Sequence, residues 1–306
     1  MTEQLAIQTK GLIKNYGRVR ALRGLDLEVR QGEIFGFLGP NGAGKTTTIR
    51  CMLDLIHPQG GTLRVLGYDP QVDPMAIRGR SGYIPGELHL DDNMTGQGAL
   101  TYFDSLRGGI VDWGYVNRLA ERLKADLKRP IRNLSHGNKQ KIGVIQALMH
   151  QPELLLLDEP TTGLDPLMQQ EVLRLLREAR TDGATIFFSS HIINEVETLA
   201  ERVAIIRQGI VVEVVEVAAL QERAIRRVHI RFSIPVSHRR SQPILQLPEV
   251  ELLGKDDQTS LLLHVKGDMD QLIKTLAKYP VADFETQRPS LEEIFLAYYE
   301  NDQQEF

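Results

Sequence analysis

The clearest chemical signal in the sequence is a glycine-rich stretch close to its N-terminus. It reads Gly39-Pro40-Asn41-Gly42-Ala43-Gly44-Lys45-Thr46-Thr47, with spaced glycines ahead of a Lys-Thr pair, which is the pattern of a phosphate-binding P-loop. Glycines let the backbone turn so that several N–H groups point into one concavity, and a following helix adds positive potential there. We expect Lys45 to reach the outer phosphates of a nucleotide and Thr46 to place its hydroxyl on a magnesium ion.

A second signal is the pair Asp158-Glu159, which closes the apolar run at residues 154–157. A carboxylate at the end of a buried strand beside a P-loop can hold magnesium through water, so Asp158 is a candidate metal ligand. Glu159 can orient or deprotonate a water for in-line attack on a γ-phosphate, which makes it a candidate catalytic residue. The alternative interpretation is an acidic helix N-cap, which is common after strands.

Two weaker signals complete the set of candidate site residues. His191 follows a predicted strand, where a neutral imidazole could touch the γ-phosphate and the attacking water; a structural histidine is the alternative. The stretch Leu134-Ser135-His136-Gly137-Asn138 precedes a predicted helix. A serine, a glycine and a free helix N-terminus together favour an anion.

The elements around the P-loop are those that the motif requires. Residues 34–38 form a nearly continuous apolar run, typical of a strand buried on both faces, and residues 47–55 read as a helix. This context disfavours a glycine-rich turn with a chance Lys-Thr pair. Further strands are predicted at residues 5–10 (before a turn at Gly11), 25–30, 63–66, 82–84, 154–159 and 185–189, and in a hairpin, 203–207 and 210–215, that turns at Gln208-Gly209.

Helical patterns replace strand patterns between residues 91 and 150, which indicates a helical subdomain inserted in the α/β core. Its helices are predicted at 99–106, 116–127 and 139–150, and Asp165-Pro166 opens another helix beyond it. An amphipathic connector, 218–227, leads to a second set of elements. Strands are predicted there at 228–234, 249–253, 261–265 and 282–286, helices at 269–278 and 290–299, and a solvated loop at His238-Arg239-Arg240.

Composition limits the classes of function. The chain has 306 residues, 42% hydrophobic and 25% charged, as in ordinary globular proteins, and its net charge of −4 gives no support to a nucleic-acid partner. The single cysteine, Cys51, cannot form an internal disulfide, and we expect it to be a small buried residue. Residues 1–10 lack a signal-peptide core and no apolar run could span a bilayer, so a membrane role would need a partner.

Five motifs in order carry a family resemblance. They are Gly39–Thr46, Leu134–Asn138, Leu156–Pro160, Gly163-Leu164-Asp165 and Ser190-His191. Over residues 7–217 the chain resembles the ATP-binding subunits of ABC transporters. The resemblance implies an α/β fold: a P-loop NTPase core of the ABC-ATPase type at residues 1–218, with the inserted helical subdomain at about 91–150, and a small C-terminal α+β domain at 228–306.

The resemblance also implies that two copies of the chain pair head to tail around two ATP molecules. Ser135 and Gly137 of one copy would then bind the γ-phosphate held by the other, and Asp165 would lie in the loop running between the two sites. Lys45, Glu159 and His191 would act in catalysis. Tyr16, in what reads as an exposed loop, matches the aromatic that stacks on adenine, with a surface aromatic as the alternative.

Two positions depart from the family pattern. The signature stretch reads Ser-His-Gly-Asn where Ser-Gly-Gly-Gln is usual. A loop that normally carries a glutamine, which senses magnesium and the membrane subunit, reads Pro85-Gly86-Glu87. Gly86 has no side chain with which to coordinate anything, so we expect Glu87 to take over.

The sequence near the end of the chain narrows the resemblance. Ser290-Leu291-Glu292-Glu293-Ile294-Phe295-Leu296 is similar to the tail of ATPases in bacterial type-two ABC exporters, which have separate membrane subunits and often carry drugs, antibiotics or lipids. This implies a cytoplasmic ATPase held at the inner face of the membrane by permease subunits, with no nucleic acid.

Two alternatives remain. A soluble ABC-type ATPase could act on ribosomes or DNA, although such relatives usually hold two cores in one chain or long coiled coils between the motifs. A P-loop kinase would need neither the signature stretch nor a dimer.

Overall fold

The computed structural model describes residues 4–219, 226–254, 259–266 and 269–287. The chain divides into two compact units, Met1–Val215 and Glu216–Phe306. The strands of the first unit are β1 (Leu5–Tyr16), β2 (Val19–Arg30), β3 (Ile34–Leu38), β4 (Gly60–Val65), β5 (Ser81–Ile84), β6 (Leu154–Asp158), β7 (Thr185–Ser190), β8 (Arg202–Arg207) and β9 (Ile210–Glu216). Its helices are α1 (Lys45–Met52), α2 (Pro74–Arg80), α3 (Gly96–Leu106), α4 (Trp113–Arg122), α5 (His136–Leu148), α6 (Pro166–Thr181) and α7 (Ile193–Leu199).

A six-stranded sheet in the order β5-β6-β7-β3-β8-β9 forms the centre of this unit within residues 4–219. The pairs from β5 to β8 are parallel. Every residue of β3 and β6 is buried, as expected for parallel strands covered on both faces. Phe187 of β7 packs between Phe35 and Phe37 of β3, at centroid distances of 6.0 and 5.2 Å.

The strand order brings the candidate site residues to one edge of the sheet. Asp158 at the end of β6 lies opposite Ser189 of β7, and Leu38 at the end of β3 lies opposite Ser190. Because β6, β7 and β3 are adjacent and parallel, the segments that follow them start side by side at the carboxyl end, where open α/β sheets bind their ligands. The P-loop, the Asp158-Glu159 pair and His191 follow these three strands.

A second, antiparallel sheet has the order β2-β1-β4. The expectation that the first strand would end before a turn at Gly11 is wrong, because β1 continues to Tyr16. Gly11 has a φ of 59° and lies where the register with β2 shifts, so it forms an irregularity within the strand rather than a turn. Tyr16 is therefore the last residue of a strand and not part of a loop, and 45% of it is exposed.

The segment between β5 and β6 contains α3, α4 and α5, together with a short 3-10 turn at Ile131–Asn133. α3 and α5 lie within about three residues of the predicted helices, whereas α4 begins and ends earlier in the chain than the helix predicted at 116–127. Two short helices, α2 and α7, have no counterpart in the sequence-based prediction. Each has seven residues, which is too short for a helical periodicity to emerge from the sequence.

The second unit has the order of elements β10 (Arg226–Phe232), α8 (His238–Leu245), β11 (Val250–Gly254), β12 (Ser260–Val265), α9 (Asp270–Leu276) and β13 (Val281–Gln287). Its four described strands form an antiparallel sheet in the order β11-β12-β10-β13. This βαββαβ arrangement is the ferredoxin-like split βαβ motif. The core lies between the sheet and the two helices, with Val228, Ile230, Leu263 and Ile244 almost completely buried.

The predicted loop at His238-Arg239-Arg240 is wrong, because these residues form the first turn of α8. The helix contains Pro243, and a proline inside a segment argues against a helix when only the sequence is known. Burial of Ile244 (0% exposed) anchors this short helix to the sheet. The predicted helix at 290–299 and the exporter-like tail at 290–296 lie outside the described residues.

Across the part of the chain that the structure describes, no helix combines the length and the apolar character needed to cross a bilayer.

The phenylalanine cluster gives a test of this fold. We expect Phe187→Ala to destabilise the first unit by about 3–5 kcal/mol, because it removes a fully buried ring between two others. Urea denaturation followed by the fluorescence of Trp113, the single tryptophan, measures the change. The control Leu167→Ala, at a position that is 70% exposed, should stay within about 0.5 kcal/mol of the wild type. Equal unfolding midpoints for the two variants would contradict the placement of β7.

Candidate active site

The P-loop joins the end of β3 to the start of α1, and its glycines are required by backbone geometry. Gly42 and Gly44 have φ values of 80° and 112°, a region that side chains rarely adopt. A Cβ at Gly44 would also stand 2.7 Å from the carbonyl oxygen of Ala21. Within the loop, the N–H of Ala43 donates to the carbonyl of Pro40 at 3.2 Å, while Pro40, Asn41 and Gly42 are exposed. The loop therefore turns tightly and presents an open side at a helix N-terminus.

Lys45 extends back along this loop. Its Nζ donates to the carbonyl oxygens of Gly39 at 2.7 Å and Pro40 at 3.1 Å, and it lies 3.8 Å from Oε1 of Glu159. Burial lowers the pKa of the Lys45 ammonium, and the nearby carboxylates of Glu159 and Asp158 raise it in part. An anion in the loop would favour the charged form further, so the site has a built-in attraction for phosphate.

Asp158 is the most enclosed carboxylate of the site, with 1% of its surface exposed. Its Oδ2 accepts a hydrogen bond from the hydroxyl of Thr46 at 2.6 Å, and its Oδ1 accepts one from Ser189 at 2.5 Å. The backbone of Gly86 closes the remaining side, because a Cβ there would stand 2.8 Å from Oδ2 of Asp158. The structure thus fixes one carboxylate and one hydroxyl beside the first turn of α1.

Glu159 turns away from the strand and faces His191. Its backbone has a φ of 52°, unusual for a residue other than glycine, and its N–H donates to the carbonyl of Ser189 at 3.2 Å. Oε1 of Glu159 lies 3.0 Å from Nδ1 of His191, and Oε2 accepts a hydrogen bond from Thr162 at 3.3 Å. The two predicted catalytic side chains are therefore in direct contact, and Glu159 also lies within Coulomb range of Lys45.

Ser135, Gly137 and Asp165 belong to a separate pair of helix N-termini. The Ser135 side chain caps α5 by accepting from the N–H of Asn138 at 3.4 Å, and the Asp165 side chain caps α6 by accepting from the N–H of Met168 at 3.0 Å. A Cβ at Gly137 would stand 2.5 Å from the carbonyl oxygen of Gly163, so glycine lets the two caps pack closely. Ser135 and Asp165 are exposed, and among the described residues no hydrogen bond joins either side chain to the P-loop.

Tyr16 and Glu87 lie at the surface. The Nζ of Lys14 stands 5.3 Å from the centroid of the Tyr16 ring and donates to the carbonyl of His57 at 2.6 Å, so the ring is oriented by a cation. The Glu87 side chain is exposed, and within residues 4–219 it has no hydrogen bond or ion pair. The structure does not bring Glu87 into contact with Asp158, whereas its neighbour Gly86 approaches that carboxylate closely.

Several buried polar residues of the site were not identified from the sequence. Ser189 holds Asp158, and Gln140 of α5 donates to the carbonyl of Pro160 at 3.0 Å. Thr161 and Glu195 are joined by a short hydrogen bond between their side chains. A polar residue on an otherwise apolar helix face was the available signal for Gln140, but its partner depends on tertiary packing.

Comparisons with known proteins give matches in both parts of the chain. A family model described as ABC transporter matches residues 22–162, and one described as ATP-binding protein DrrA1-3-like, C-terminal domain, matches residues 221–299. The daunorubicin/doxorubicin resistance ATP-binding protein DrrA of Streptomyces peucetius is 32% identical over 304 residues, 95% of this chain and 92% of the relative. The bacitracin transport ATP-binding protein BcrA of Enterococcus faecalis is 36% identical over 225 residues, 73% of each chain.

Solved structures show the same fold. One described as an ATP-binding subunit of an ABC transporter is 28% identical, with a TM-score of 0.64 over 71% of this chain and 92% of its own. A dimeric ATP-binding cassette with ADP and phosphate bound is 21% identical, with a TM-score of 0.63 over 69% of this chain and 98% of its own. At that identity the second likeness concerns the fold alone.

Proposed function

Because the chain belongs to the ATP-binding proteins of ABC transporters, we propose that it powers an exporter through separate membrane subunits. As a member of that family it is an ATP-binding and ATP-hydrolysing subunit of a transporter. The observation that carries the proposal is the convergence of Lys45, Thr46, Asp158, Glu159 and His191 at the carboxyl ends of β3, β6 and β7.

We propose that the γ-phosphate takes the place that the loop carbonyls occupy around Lys45. The ammonium now donates to Gly39 and Pro40, so it can exchange these neutral acceptors for charged ones, which make stronger hydrogen bonds. Backbone N–H groups of the P-loop and the N-terminus of α1 would hold the remaining phosphate oxygens. Tyr16, exposed at the end of β1, would stack on the adenine.

Glu159 is proposed as the residue that orients and deprotonates the attacking water. Its contact with His191 at 3.0 Å keeps the carboxylate in one orientation, and His191, 43% exposed, has room to contact the γ-phosphate. Water attack in line with the leaving oxygen then yields ADP and phosphate, with the proton passing to Glu159. His191 would stabilise the charge that develops on the phosphate oxygens.

The donor set fits a magnesium ion. The hydroxyl of Thr46 and the Oδ2 of Asp158 are hard oxygen ligands 2.6 Å apart, and Mg²⁺ in nucleotide sites takes one or two protein ligands, with water and phosphate oxygens as the rest. Bound there, the ion would neutralise charge on the phosphates. Glu87, the exposed carboxylate next to Gly86, is proposed to take the sensing role of the usual glutamine.

We further propose that ATP joins two copies of the chain. Within one chain Ser135 and Asp165 are exposed helix caps that make no hydrogen bond to the P-loop among the described residues. An exposed N-terminus of a 13-residue helix, with a hydroxyl at its cap, suits a phosphate presented by a second copy. Hydrolysis would then remove the shared ligand and open the dimer.

The partners and the cargo are proposed from the relatives. The named relatives are resistance and transport ATP-binding proteins for daunorubicin and bacitracin, so we propose an amphiphilic drug or antibiotic as the cargo. We propose that permease subunits hold this chain at the inner face of the membrane. None of these relatives is named for a ribosomal or DNA substrate, so export is preferred over the soluble alternative.

We expect Glu159→Gln to lower the kcat for ATP hydrolysis by about a hundredfold or more while leaving the Kd for ATP nearly unchanged, because the amide cannot accept the proton. Phosphate release and equilibrium nucleotide binding measure the two quantities. Glu153→Gln, at the amino end of β6, is the matched control, because it only weakens a surface ion pair with Arg80. Near-normal turnover by Glu159→Gln would remove Glu159 from this role.

Gly86→Ala tests the metal site. The added Cβ would stand 2.8 Å from Oδ2 of Asp158, and that carboxylate is held on both oxygens, so it must shift. We expect about a tenfold fall in kcat/KM and a higher Mg²⁺ concentration for half-maximal activity. Gly79→Ala, where no atom lies within 4 Å of the added Cβ, should behave as the wild type. The same Mg²⁺ dependence in both variants would contradict a metal ligand at Asp158.

Ser135→Asp tests the dimer, because aspartate caps a helix as well as serine does but repels a phosphate. In the Glu159→Gln background, we expect ATP to dimerise the chain, and Ser135→Asp to abolish this dimer with little effect on the unfolding midpoint. Ser135→Asn, an uncharged cap, should keep more of the dimer. Sedimentation with and without ATP provides the measurement. A full ATP-dependent dimer from Ser135→Asp would rule out Ser135 as a contact to the partner's phosphate.

A further inference from the structure

A buried carboxylate on α7 is not explained by nucleotide binding. Glu195 lies in the first turn of that helix and is 7% exposed. Within the described residues its carboxylate has no cation partner. Instead it accepts two hydroxyl hydrogen bonds, from Ser190 at 2.7 Å and a shorter one from Thr161. A buried charge is unfavourable unless it is well satisfied, so this arrangement imposes a specific geometry on the two hydroxyls.

The two hydroxyls belong to the segments that carry the catalytic side chains. Thr161 comes two residues after Glu159, and Ser190 directly precedes His191. The hydroxyl of Ser190 also accepts from the N–H of Ile192 at 2.9 Å, so the backbone on both sides of His191 is tied to the same oxygen. Thr161 and Ser190 are each 1% exposed, and water does not compete for these bonds.

We propose that Glu195 is a positioning residue for ATP hydrolysis, which joins the segment after Glu159 to the segment before His191. The inference rests on the proposed roles of Glu159 and His191. Those two side chains meet at 3.0 Å, and the carboxylate of Glu195 fixes the backbone on which each one stands. A displacement of about 1 Å in a catalytic group can cost on the order of a hundredfold in rate. The two hydrogen bonds to Glu195 therefore control kcat.

The position of Thr161 also affects the segment that leads to the cap of α6. The N–H of Leu164 donates to the carbonyl of Thr161 at 3.1 Å, and Asp165 follows immediately. Glu195 therefore sets the position of the turn that leads from the catalytic carboxylate to the exposed Asp165. A residue with a purely structural role would affect folding alone, whereas a positioning residue affects turnover through Glu159 and His191.

The experiment measures single-turnover ATP hydrolysis by the full chain for Glu195→Gln, alone and with His191→Ala. The amide keeps the size of the side chain but must present an N–H₂ group to one of the two hydroxyls. We expect the rate to fall about tenfold with the Kd for ATP within twofold of the wild type. In the His191→Ala background the same change should lower the rate less than threefold, because it can then act only through the position of Glu159. Glu201→Gln, which only breaks a surface ion pair with Arg180, is the control.

Thr161 provides a second pair of variants. Thr161→Val has nearly the same shape without a hydroxyl and should reproduce the loss in rate, whereas Thr161→Ser keeps the hydroxyl and should restore most of it. This pair applies even if Glu195→Gln does not fold. A Glu195→Gln rate within twofold of the wild type, an equal loss in both backgrounds, or equal rates for the two Thr161 variants would overturn the inference. If Glu159→Gln loses turnover as proposed while the Glu195 and Thr161 variants hydrolyse ATP at the wild-type rate, only the role of Glu195 is rejected. Normal turnover by Glu159→Gln would instead reject the proposed function.

Discussion

The hydrogen bond between Thr46 and Asp158 is the interaction on which the rest of the site depends. It is 2.6 Å long and joins the first turn of α1 to the last residue of β6, although β7 lies between β6 and β3 in the sheet. It can form only if the three strands are parallel and in register, since a slip of one residue would turn Asp158 to the other face. The buried phenylalanines of β3 and β7 and the continuous leucines of β6 secure that register, so the apolar core specifies the position of polar groups at its rim.

The backbone is strained at Glu159, the proposed catalytic residue that follows the aligned strand β6. A left-handed backbone conformation is unfavourable for a residue with a Cβ, by about 1–3 kcal/mol in such sites, and it persists only where the surroundings hold it. Ser189 does so: its carbonyl accepts from the N–H of Glu159, and its hydroxyl donates to Asp158. The strand therefore ends with two adjacent carboxylates that face different partners, Asp158 toward Thr46 and Glu159 toward His191.

The sequence predicted the local parts of this arrangement and not the contacts between them. The bounds of β3 were predicted correctly because an apolar run flanked by Gly32 and Gly39 leaves few choices. The turn at Gln208-Gly209 also formed, with the positive φ values, 48° and 78°, of a two-residue hairpin. The turn predicted at Gly11 was wrong because a glycine can either end a strand or form a bulge within it. Only the pairing with β2 distinguishes the two. The loop predicted at His238-Arg239-Arg240 was wrong because a cluster of basic residues is typical of an exposed loop, whereas burial of Ile244, later in the same segment, stabilises a short helix.

The site residues follow the same division. Lys45, Thr46, Asp158 and Glu159 belong to motifs with a chemical pattern of their own, so residue type and spacing were sufficient to find them. Ser189, Gln140 and Glu195 act through partners far away in sequence, and nothing local distinguishes them from other polar residues. The exposed caps Ser135 and Asp165 lie between these cases: their motif is local, but the packing of Gly137 against Gly163 brings the two helix N-termini together on one surface. Two helix N-termini on one surface favour an anion there, and the γ-phosphate of a second copy is the anion that we propose.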